Sequence, residues 1–248
     1  MAEYRRALHQ RIERLLALLD AQFLEEAECY FGGGTQLVMS HGEFRESRDI
    51  DFLVSSRAGL RMLRETVDER TLGRIFKGRI HLAREVRAER DAIRTFIMED
   101  PAAEPLKFEI AVEARIELKG AMDDGLGVPR LEVPWAIAEK LLANADHGRA
   151  KEHRARDVID LAFVSLDVED AAILAGYEIA QSAYGRVILR ELDEVVKMLA
   201  LDTRYRAQCA ADLLIEDTKG LRKGLERLQQ LKRRMRVQAS PAAKAARR

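Results

Sequence analysis

The sequence predicts an α+β protein, in which a small mixed β-sheet core flanked by helices is followed by a C-terminal helical bundle. Two patterns support this prediction. Apolar and polar residues alternate over 50–54, 93–97 and 106–110, which is typical of strands with one buried face. From residue 169 to about 237, apolar residues recur at helical spacing without a break, which predicts several packed amphipathic helices.

The length of 248 residues suits one large domain or two small ones, with enough chain for a sizeable core. We expect the sheet core and an N-terminal helix over residues 1–130. A helical domain is expected over 131–237, and a disordered basic tail over 238–248.

In the first half, helical spacing over residues 3–25 predicts one amphipathic helix. Residues 35–41 are predicted as a helix that follows three glycines, and residues 49–54 as a strand. A charged helix with Leu60 and Leu63 inward is expected over 57–70, and a mixed connection over 71–91.

In the second half, a connector reading Glu-Asp-Pro-Ala-Ala-Glu-Pro at residues 99–105 predicts that the flanking strands form an antiparallel hairpin. Asp-Asp-Gly at 123–125 predicts a turn, and residues 134–146 a helix that carries Lys140. The helical bundle is then expected from segments 168–183, 184–201 and 203–215, followed by a basic helix.

Cysteine use and hydropathy bear on the compartment. Cys29 and Cys209 lie far apart with no Cys-x-x-Cys motif, so neither a disulfide framework nor a zinc site is expected. No apolar stretch has the length of a membrane span, and no signal peptide is evident at the N-terminus. We therefore expect a cytoplasmic protein without a membrane partner.

The formal net charge of zero hides an asymmetry. Eleven of the 42 Lys and Arg residues but only one of the 42 acids lie in 219–248, which leaves 31 basic and 41 acidic residues in 1–218. A basic end predicts a polyanion partner such as RNA, or an acidic protein. The alternative is a poorly ordered end that aids solubility.

Residues 31–35 read Phe-Gly-Gly-Gly-Thr. Three glycines before Thr35 predict a tight turn that opens a helix, where backbone N–H groups and the helix dipole favour an anion. The simpler alternative is a flexible turn and helix cap. No Gly-Lys-Ser/Thr follows, so the motif is not a P-loop, and the order of helix and strand does not fit a dinucleotide-binding fingerprint.

Asp49 and Asp51 alternate with the apolar residues of the strand that follows, so both carboxylates point to one face. Residues two apart on a strand lie roughly 6.6 Å from each other, close enough to share one or two Mg²⁺ ions. The alternative is a solvated strand end. In the strand at 106–110, Lys107 and Glu109 share a face, which predicts Glu109 as a third carboxylate. Glu113 is the other candidate, and a strand acid paired with Lys107 is the structural alternative.

Gly-Gly-Thr, a helix, and then Arg-x-Ser-x-Asp-Ile-Asp-Phe together resemble the DNA polymerase β-like nucleotidyltransferases. In detail the pattern resembles their AbiEii/AbiGii toxin-type branch. Lys140 within a helix, followed by Arg156-Asp-x-x-Asp-Leu, resembles the same branch. The resemblance covers about residues 28–165. One departure is Gly32, where many relatives have a lysine or another polar residue, so the phosphate-binding turn lacks one cation here.

The resemblance implies two Mg²⁺ ions, replaceable by Mn²⁺, held by three carboxylates. It also implies that a lysine neutralises phosphate charge and that a later aspartate, Asp157 or its neighbour Asp160 on the same helix face, belongs to the site. The expected metal ligands are Asp49, Asp51 and Glu109; the catalytic residues are these three with Lys140 and Asp157; and the nucleotide-binding residues are Gly33, Gly34, Thr35, Ser47 and Lys140.

The expected function is that of a Mg²⁺-dependent nucleotidyltransferase. It would move an NMP, or a short run of NMPs, from an NTP to an RNA acceptor such as tRNA, as the toxin of a toxin–antitoxin pair with an antitoxin protein as partner. The alternatives are a nucleotidyltransferase that modifies a small molecule such as an antibiotic, a non-catalytic module that binds nucleotide or RNA, and a helical interaction protein.

Overall fold

The computed structural model of the protein describes residues 4–238. The predicted tail at 239–248 lies outside the described residues, while Gln238 closes the last helix. The chain divides into two compact units, one made of Met1–Glu43 and Ser47–Glu132 and the other of Phe44–Glu46 and Val133–Arg248. Within residues 4–238, no helix is long and apolar enough to cross a membrane.

The first unit combines helices with a single mixed sheet. Its helices are α1 (Ala7–Leu16), α2 (Ala21–Glu26), α3 (Gly33–Ser40) and α4 (Arg57–Glu65). Its strands are β1 (Cys29–Phe31), β2 (Ile50–Val54), β3 (His81–Leu82), β4 (Arg87–Ala88), β5 (Ala92–Met98), β6 (Leu106–Val112), β7 (Gly120–Asp123) and β8 (Val128–Leu131). The eight-stranded sheet has the order β3-β5-β6-β2-β1-β8-β7, with β4 also paired to β5.

The centre of the sheet contains both kinds of pairing, as predicted for a mixed sheet. Strand β2 runs parallel to β6 and antiparallel to β1. Strands β5 and β6 form the predicted antiparallel hairpin. Strands β7 and β8 form a second hairpin around the predicted Asp-Asp-Gly turn, and β8 lies parallel to β1. These two strands were not predicted from the sequence.

One face of the sheet is sealed by a row of aromatic side chains. The rings of Phe31 and Phe52 lie 5.3 Å apart, and those of Phe52 and Phe108 lie 6.0 Å apart. All three are fully buried. Because side chains alternate along a strand, the residues between them point to the other face. That alternation places Asp51 and Glu109 on the opposite side of the sheet from the aromatic core.

Two predicted helices are shorter in the structure. The predicted helix 3–25 is wrong as a single element, because the chain breaks after α1 and the carboxylate of Asp20 caps α2 by accepting the N–H of Phe23 at 3.0 Å. The predicted helix 57–70 stops at Glu65. There the hydroxyl of Thr66 accepts the N–H of Arg74 at 2.7 Å and closes a turn.

The second unit is helical in its described residues, as predicted. Helix α5 spans Val133–His147 and α6 spans Arg156–Asp167, with a short 3₁₀ turn at Lys151–His153 between them. The remaining helices are α7 (Asp170–Tyr184), α8 (Val187–Leu201), α9 (Thr203–Asp212) and α10 (Thr218–Gln238).

Helix α10 is the predicted basic helix, and it is an integral part of the bundle. Leu228, Leu231 and Met235 are buried, and the Lys232 ammonium is ion-paired with Asp193 of α8. The predicted basic helix is therefore confirmed, and the alternative of a poorly ordered end does not apply to Thr218–Gln238, since the apolar side of α10 packs within the unit.

Candidate active site

The first unit places two carboxylates side by side on the face of the sheet opposite the aromatic core. Asp51 and Glu109 are paired residues on the parallel strands β2 and β6, and neighbouring strands lie about 4.8 Å apart. Asp49 immediately precedes β2, which begins at Ile50 rather than at the predicted residue 49. Glu109 is therefore the direct neighbour of Asp51, while a metal site shared by Asp49 and Asp51 stays a prediction.

The glycine turn, which consists of residues 32–34, lies against one of these acids. Gly33 is the first residue of α3 and has a positive φ of 68°, and a Cβ atom there would lie 2.8 Å from Oδ2 of Asp51. The N–H of Gly32 also donates to the backbone oxygen of Asp51 at 2.9 Å. The N-terminus of α3, a natural binding site for anions, therefore begins beside a carboxylate oxygen that is suited to a hard cation.

Gly32, the departure from the family pattern, is buried. A Cβ atom there would meet the side chain of Leu53 at 2.4 Å and that of Leu131 at 3.0 Å. A lysine at this position would require both leucine side chains to move. The absence of a lysine here therefore allows Leu53 and Leu131 to pack directly against the backbone of Gly32.

Glu109 is neutralised by two cations. Its carboxylate forms ion pairs with Lys107 on the same strand and with Arg94 on β5. Burial alone would raise the pKa of Glu109, but the hydrogen bonds from Lys107 and Arg94 outweigh burial and lower it. Burial likewise opposes a rise in the pKa of Lys107, which Glu109, Asp51 and Asp49 together produce. Lys107 therefore lies within the field of all three acids.

The donor set fits a metal only in part. Among residues 4–238, no group of three or more His, Cys, Asp or Glu side chains is arranged to hold a metal ion. The oxygen donors of Asp49 and Asp51 have the chemistry that Mg²⁺ prefers. Glu109 does not fit as a third ligand while Lys107 and Arg94 bind its carboxylate. Its assignment as a metal ligand stays a prediction.

Glu113, the other candidate for the third acid, has a different environment. Its buried carboxylate binds the guanidinium of Arg115 and accepts the N–H of Ile116 at 3.3 Å. It also lies beyond the end of β6. These contacts close the turn after β6, so Glu113 has a structural role.

Thr35 and Ser47 are linked to each other. Thr35 is fully buried, and its hydroxyl donates to that of Ser47 at 2.8 Å. The N–H of Ser47 in turn donates to Nε2 of His9 at 3.3 Å, and Nδ1 of His9 lies 2.7 Å from Glu43. The hydroxyl of Thr35 thereby orients Ser47, while direct contact of either hydroxyl with a phosphate stays a prediction.

His9 was missed by the sequence analysis, although it is completely buried. Because Nε2 accepts a hydrogen bond from the N–H of Ser47, Nδ1 is the nitrogen that donates to Glu43. Burial would raise the pKa of Glu43, but the N–H groups of Arg5 and Arg6 and the His9 ring lower it. The sequence could have indicated its burial, because His9 lies three positions before Ile12 and therefore on the same, apolar side of α1.

In the second unit, Lys140 is buried between two carboxylates. Its Nζ lies 2.9 Å from Oδ1 of Asp157 and 2.9 Å from Oδ2 of Asp160. Only 8% of its side chain is exposed. Burial would lower the pKa of Lys140, but the charges of Asp157 and Asp160 raise it. The ammonium is thus held charged, with protein carboxylates as its partners.

Two further groups complete this cluster. Arg45 donates to both carboxylate oxygens of Asp160, through Nε at 2.6 Å and Nη2 at 2.9 Å. Arg45 was not among the site residues predicted from the sequence. His147 Nε2 lies 3.2 Å from Asp157 Oδ2. We call these five residues the buried charge cluster; it consists of Arg45, Lys140, His147, Asp157 and Asp160.

Phe44–Glu46 belong to the second unit through their own contacts. The ring of Phe44 stacks on Phe163 with centroids 4.6 Å apart, and the N–H of Glu46 donates to the backbone oxygen of Leu213 at 3.1 Å. With the Arg45–Asp160 pair, these contacts fix Arg45 and Glu46, the first two residues of the Arg-x-Ser-x-Asp-Ile-Asp motif, within the helical unit.

The residues before α6 adopt an uncommon backbone conformation. Arg154 has a φ of 55° and Ala155 a φ of 50°, and side chains other than glycine rarely adopt such values in succession. Ala155 is buried. This strained pair directly precedes Arg156 and Asp157. Strained backbone of this kind clusters at functional sites in proteins.

Comparisons with solved structures agree with this fold. A Helicobacter pylori protein provisionally described as a nucleotidyltransferase is 17% identical, with 96% of this chain and 97% of that chain covered and a TM-score of 0.54. JHP933 from Helicobacter pylori is 16% identical, with both chains fully covered and a TM-score of 0.54. No curated protein is significantly similar in sequence.

The sequence also matches a family model over residues 14–232. This range includes the glycine turn, the buried charge cluster and the three acids Asp49, Asp51 and Glu109, which we call the sheet acids. The family is described as the nucleotidyl transferase AbiEii toxin of a type IV toxin–antitoxin system. The resemblance read from the two motifs is therefore confirmed, together with the class of enzyme, and a toxin–antitoxin family implies an antitoxin partner. The chain belongs to the AbiEii family of toxin nucleotidyltransferases.

Proposed function

We propose that this toxin transfers a nucleotidyl group from an NTP to an RNA acceptor such as tRNA, in a reaction that depends on Mg²⁺. The observation that supports the proposal best is the contact between Gly33 and Asp51. This contact supports the proposal because the N-terminus of a helix suits an anion and a carboxylate oxygen suits Mg²⁺, and the two lie together with Glu109 beside them.

The chemistry follows from these positions. The N–H groups of Gly33 and Gly34 at the start of α3 would bind phosphate oxygens of the NTP. A hydroxyl oxygen of the acceptor forms a new bond to the α-phosphorus, while the bond to the bridging oxygen of the β-phosphate breaks and pyrophosphate leaves. Glu109 would take up the hydroxyl proton. Glu109 is ionised at neutral pH, because its pKa is lowered.

Mg²⁺ would be held by Asp49 and Asp51, the two acids whose donors fit it. When bound, Mg²⁺ neutralises phosphate charge and favours the ionised form of the attacking hydroxyl. Lys107 and Arg94 bind Glu109 in the described structure. Both are cations of the kind that bind phosphates, so an incoming triphosphate competes with Glu109 for them.

Lys140 and Asp157 are also proposed to support nucleotide handling. The resemblance assigns phosphate contact to Lys140, whereas the ammonium is bound by Asp157 and Asp160 here. A role in phosphate binding therefore requires Lys140 to exchange at least one of these partners. A test of Lys140 must separate this role from its contribution to stability.

The choice of RNA as the acceptor rests on charge. Eleven Lys and Arg residues lie in 219–248 with a single acid, and a macromolecular polyanion is the partner that such a segment favours. A small-molecule acceptor would make no use of it. The antitoxin is expected to be a separate protein.

The test is incubation of the full-length protein with each labelled NTP and total RNA, with and without Mg²⁺, followed by measurement of label on RNA. Asp51→Asn should lower transfer by roughly a hundredfold or more. Mutation of a residue that only hydrogen-bonds to a metal ligand already lowers metal affinity or activity by about 10- to 100-fold. Asp124→Asn is the matched control, because Asp124 is an exposed acid in the β7–β8 turn of the same unit. Normal transfer by Asp51→Asn at saturating NTP and metal would contradict the proposed site.

A further inference from the structure

The helical unit contains a pocket remote in sequence from the motifs of the transferase. It has a volume of about 310 Å³ and lies where α7, α8 and α10 approach one another. Its polar lining consists of Tyr177 and Gln181 from α7, Arg186, Arg190 and Asp193 at and along α8, and Arg236 from α10.

The lining carries a positive charge that the protein does not balance. Three guanidinium groups face a single carboxylate, that of Asp193. This carboxylate is already shared, because Lys232 and Lys197 also form ion pairs with it and Arg236 lies 3.7 Å away. One acid thus serves several cations, and the pocket keeps an excess of positive charge.

Arg186 is the lining residue most accessible to a ligand. It is exposed at the start of α8, and its guanidinium makes no ion pair or hydrogen bond with any residue between 4 and 238. Arg190 binds Glu191 through Nε at 2.9 Å, which holds its side chain in place. The pocket therefore combines one anchored guanidinium with one that is available for a ligand.

The inner wall is neutral. Tyr177 is completely buried, and its hydroxyl oxygen accepts a hydrogen bond from Nε2 of Gln181 at 2.7 Å. This contact holds the Gln181 amide at the wall of the pocket, where it adds a polar group without charge.

We propose that this pocket binds a phosphate group, carried either by an RNA chain or by a free phosphate or nucleotide. Guanidinium groups recognise phosphate oxygens through paired hydrogen bonds. A volume of 310 Å³ is at the small end of the roughly 300–1,000 Å³ typical of ligand pockets, which suits a phosphate with its sugar. The site needs neither NTP nor metal at the sheet acids, so it stands apart from the proposed transfer reaction.

The first experiment uses the full-length protein without NTP or Mg²⁺ and titrates inorganic phosphate against sodium chloride of equal ionic strength, by calorimetry. Arg186→Gln should raise the Kd for phosphate about tenfold, as expected for loss of one charge-assisted contact. Arg204→Gln is the matched control, because Arg204 is also exposed, lies on α9 of the same unit, lines no part of this pocket and has no partner among the described residues. Thermal unfolding of both variants should match wild type, since neither guanidinium makes an ion pair or hydrogen bond among residues 4–238.

The second experiment distinguishes the source of the phosphate. Binding of a fluorescent 12-nucleotide single-stranded RNA is measured over a salt series, where each lost phosphate contact lowers the slope of log K against log salt by about 0.7. A lower slope for Arg186→Gln, with Arg204→Gln unchanged, identifies an RNA phosphodiester. A phosphate effect without an RNA effect identifies a free phosphate or nucleotide. If Arg186→Gln behaves as Arg204→Gln in both experiments, the proposal is overturned, whatever the outcome for transfer at Asp51.

Discussion

The carboxylate of Asp51 and the backbone of Gly33 are in such close contact that the smallest side chain at position 33 would lie 2.8 Å from Oδ2. The glycine motif and the Asp-x-Asp motif are therefore two parts of one structure. Position 33 requires glycine for two reasons. A side chain there would collide with Asp51, and its φ of 68° lies in the left-handed region that favours glycine.

These two requirements can be separated by mutation. Gly127 has the same φ of 68°, but no atom lies within 4 Å of the position of a Cβ there. Gly33→Ala and Gly127→Ala should both lose about 1–2 kcal/mol from the left-handed conformation. Only Gly33→Ala should also displace Asp51 and lose NTP binding and transfer, as measured by calorimetry and by labelling of RNA. Equal NTP affinity in the two variants would show that the contact is not part of the site.

The strands of the site were predictable from sequence because each has one apolar face. Ile50, Phe52 and Val54 alternate with Asp51 and Leu53, and this period fixes which residues share a face. Strand β8 was missed, since it is short and contains Pro129, a residue that usually argues against a strand. The sheet accommodates it between β1 and β7.

The surroundings of the charged residues were much less predictable. Arg45 and Asp160 are 115 residues apart in the chain, and no local pattern indicates that they bind each other. The same is true of His9 and Glu43, which are 34 residues apart. A motif shows which side chains are special, but the partners that bury and neutralise them come from tertiary packing.

Lys140 is predicted to matter for stability as well as for nucleotide binding. Lys140→Ala leaves Asp157 and Asp160 buried without their shared cation, and loss of one partner of a buried ion pair costs about 3–5 kcal/mol. Chemical denaturation should reveal that loss. Lys197→Ala, which removes an exposed lysine paired with Asp193, should cost less than about 1 kcal/mol.

NTP affinity then decides the role of Lys140 in binding. It should be measured on the folded fraction of Lys140→Ala, under conditions where the variant is mostly native. Weaker NTP binding would support the phosphate contact that the resemblance implies. Wild-type affinity combined with lower stability would limit Lys140 to the buried charge cluster.

Glu99 should make the stability of the first unit depend on pH. The hydrogen bond from Arg11 lowers the pKa of Glu99 to about 2, with Nε of Arg11 2.7 Å from Oε1. Because the folded-state pKa lies below the unfolded value, the stabilisation is present above about pH 4.5 and is lost as the pH falls towards 2. Glu99→Gln should therefore be less stable than wild type at pH 7, by about 1–3 kcal/mol.

That difference should shrink as the pH falls from 4.5 to 3, because wild type loses the same interaction by protonation. Urea denaturation at several pH values measures it. Glu104→Gln is the control, since Glu104 is largely exposed and lies 3.8 Å from Arg48; it should change stability little at any pH. A constant gap between Glu99→Gln and wild type across this range would contradict the assigned pKa.

The basic end of the chain calls for two different truncations. A chain that stops after Leu228 loses the buried residues Leu231, Lys232 and Met235. Because α10 then lacks half of its apolar side, we expect the helical unit to unfold at a lower temperature, and any loss of RNA binding would follow from that. This truncation therefore cannot report on RNA contacts by itself.

A chain that stops after Gln238 removes Lys244, Arg247 and Arg248 while keeping α10 whole. If these three cations contact RNA phosphates, the salt dependence of RNA binding should fall by about 0.7 for each contact, or about 2 in total. Affinity should drop at low salt and converge with that of the full chain at high salt. NTP binding should be unchanged, because the glycine turn and the sheet acids are untouched. An unaltered salt slope would show that the acceptor is bound by other cations, and the pocket of Arg186 and Arg190 would be the first place to examine.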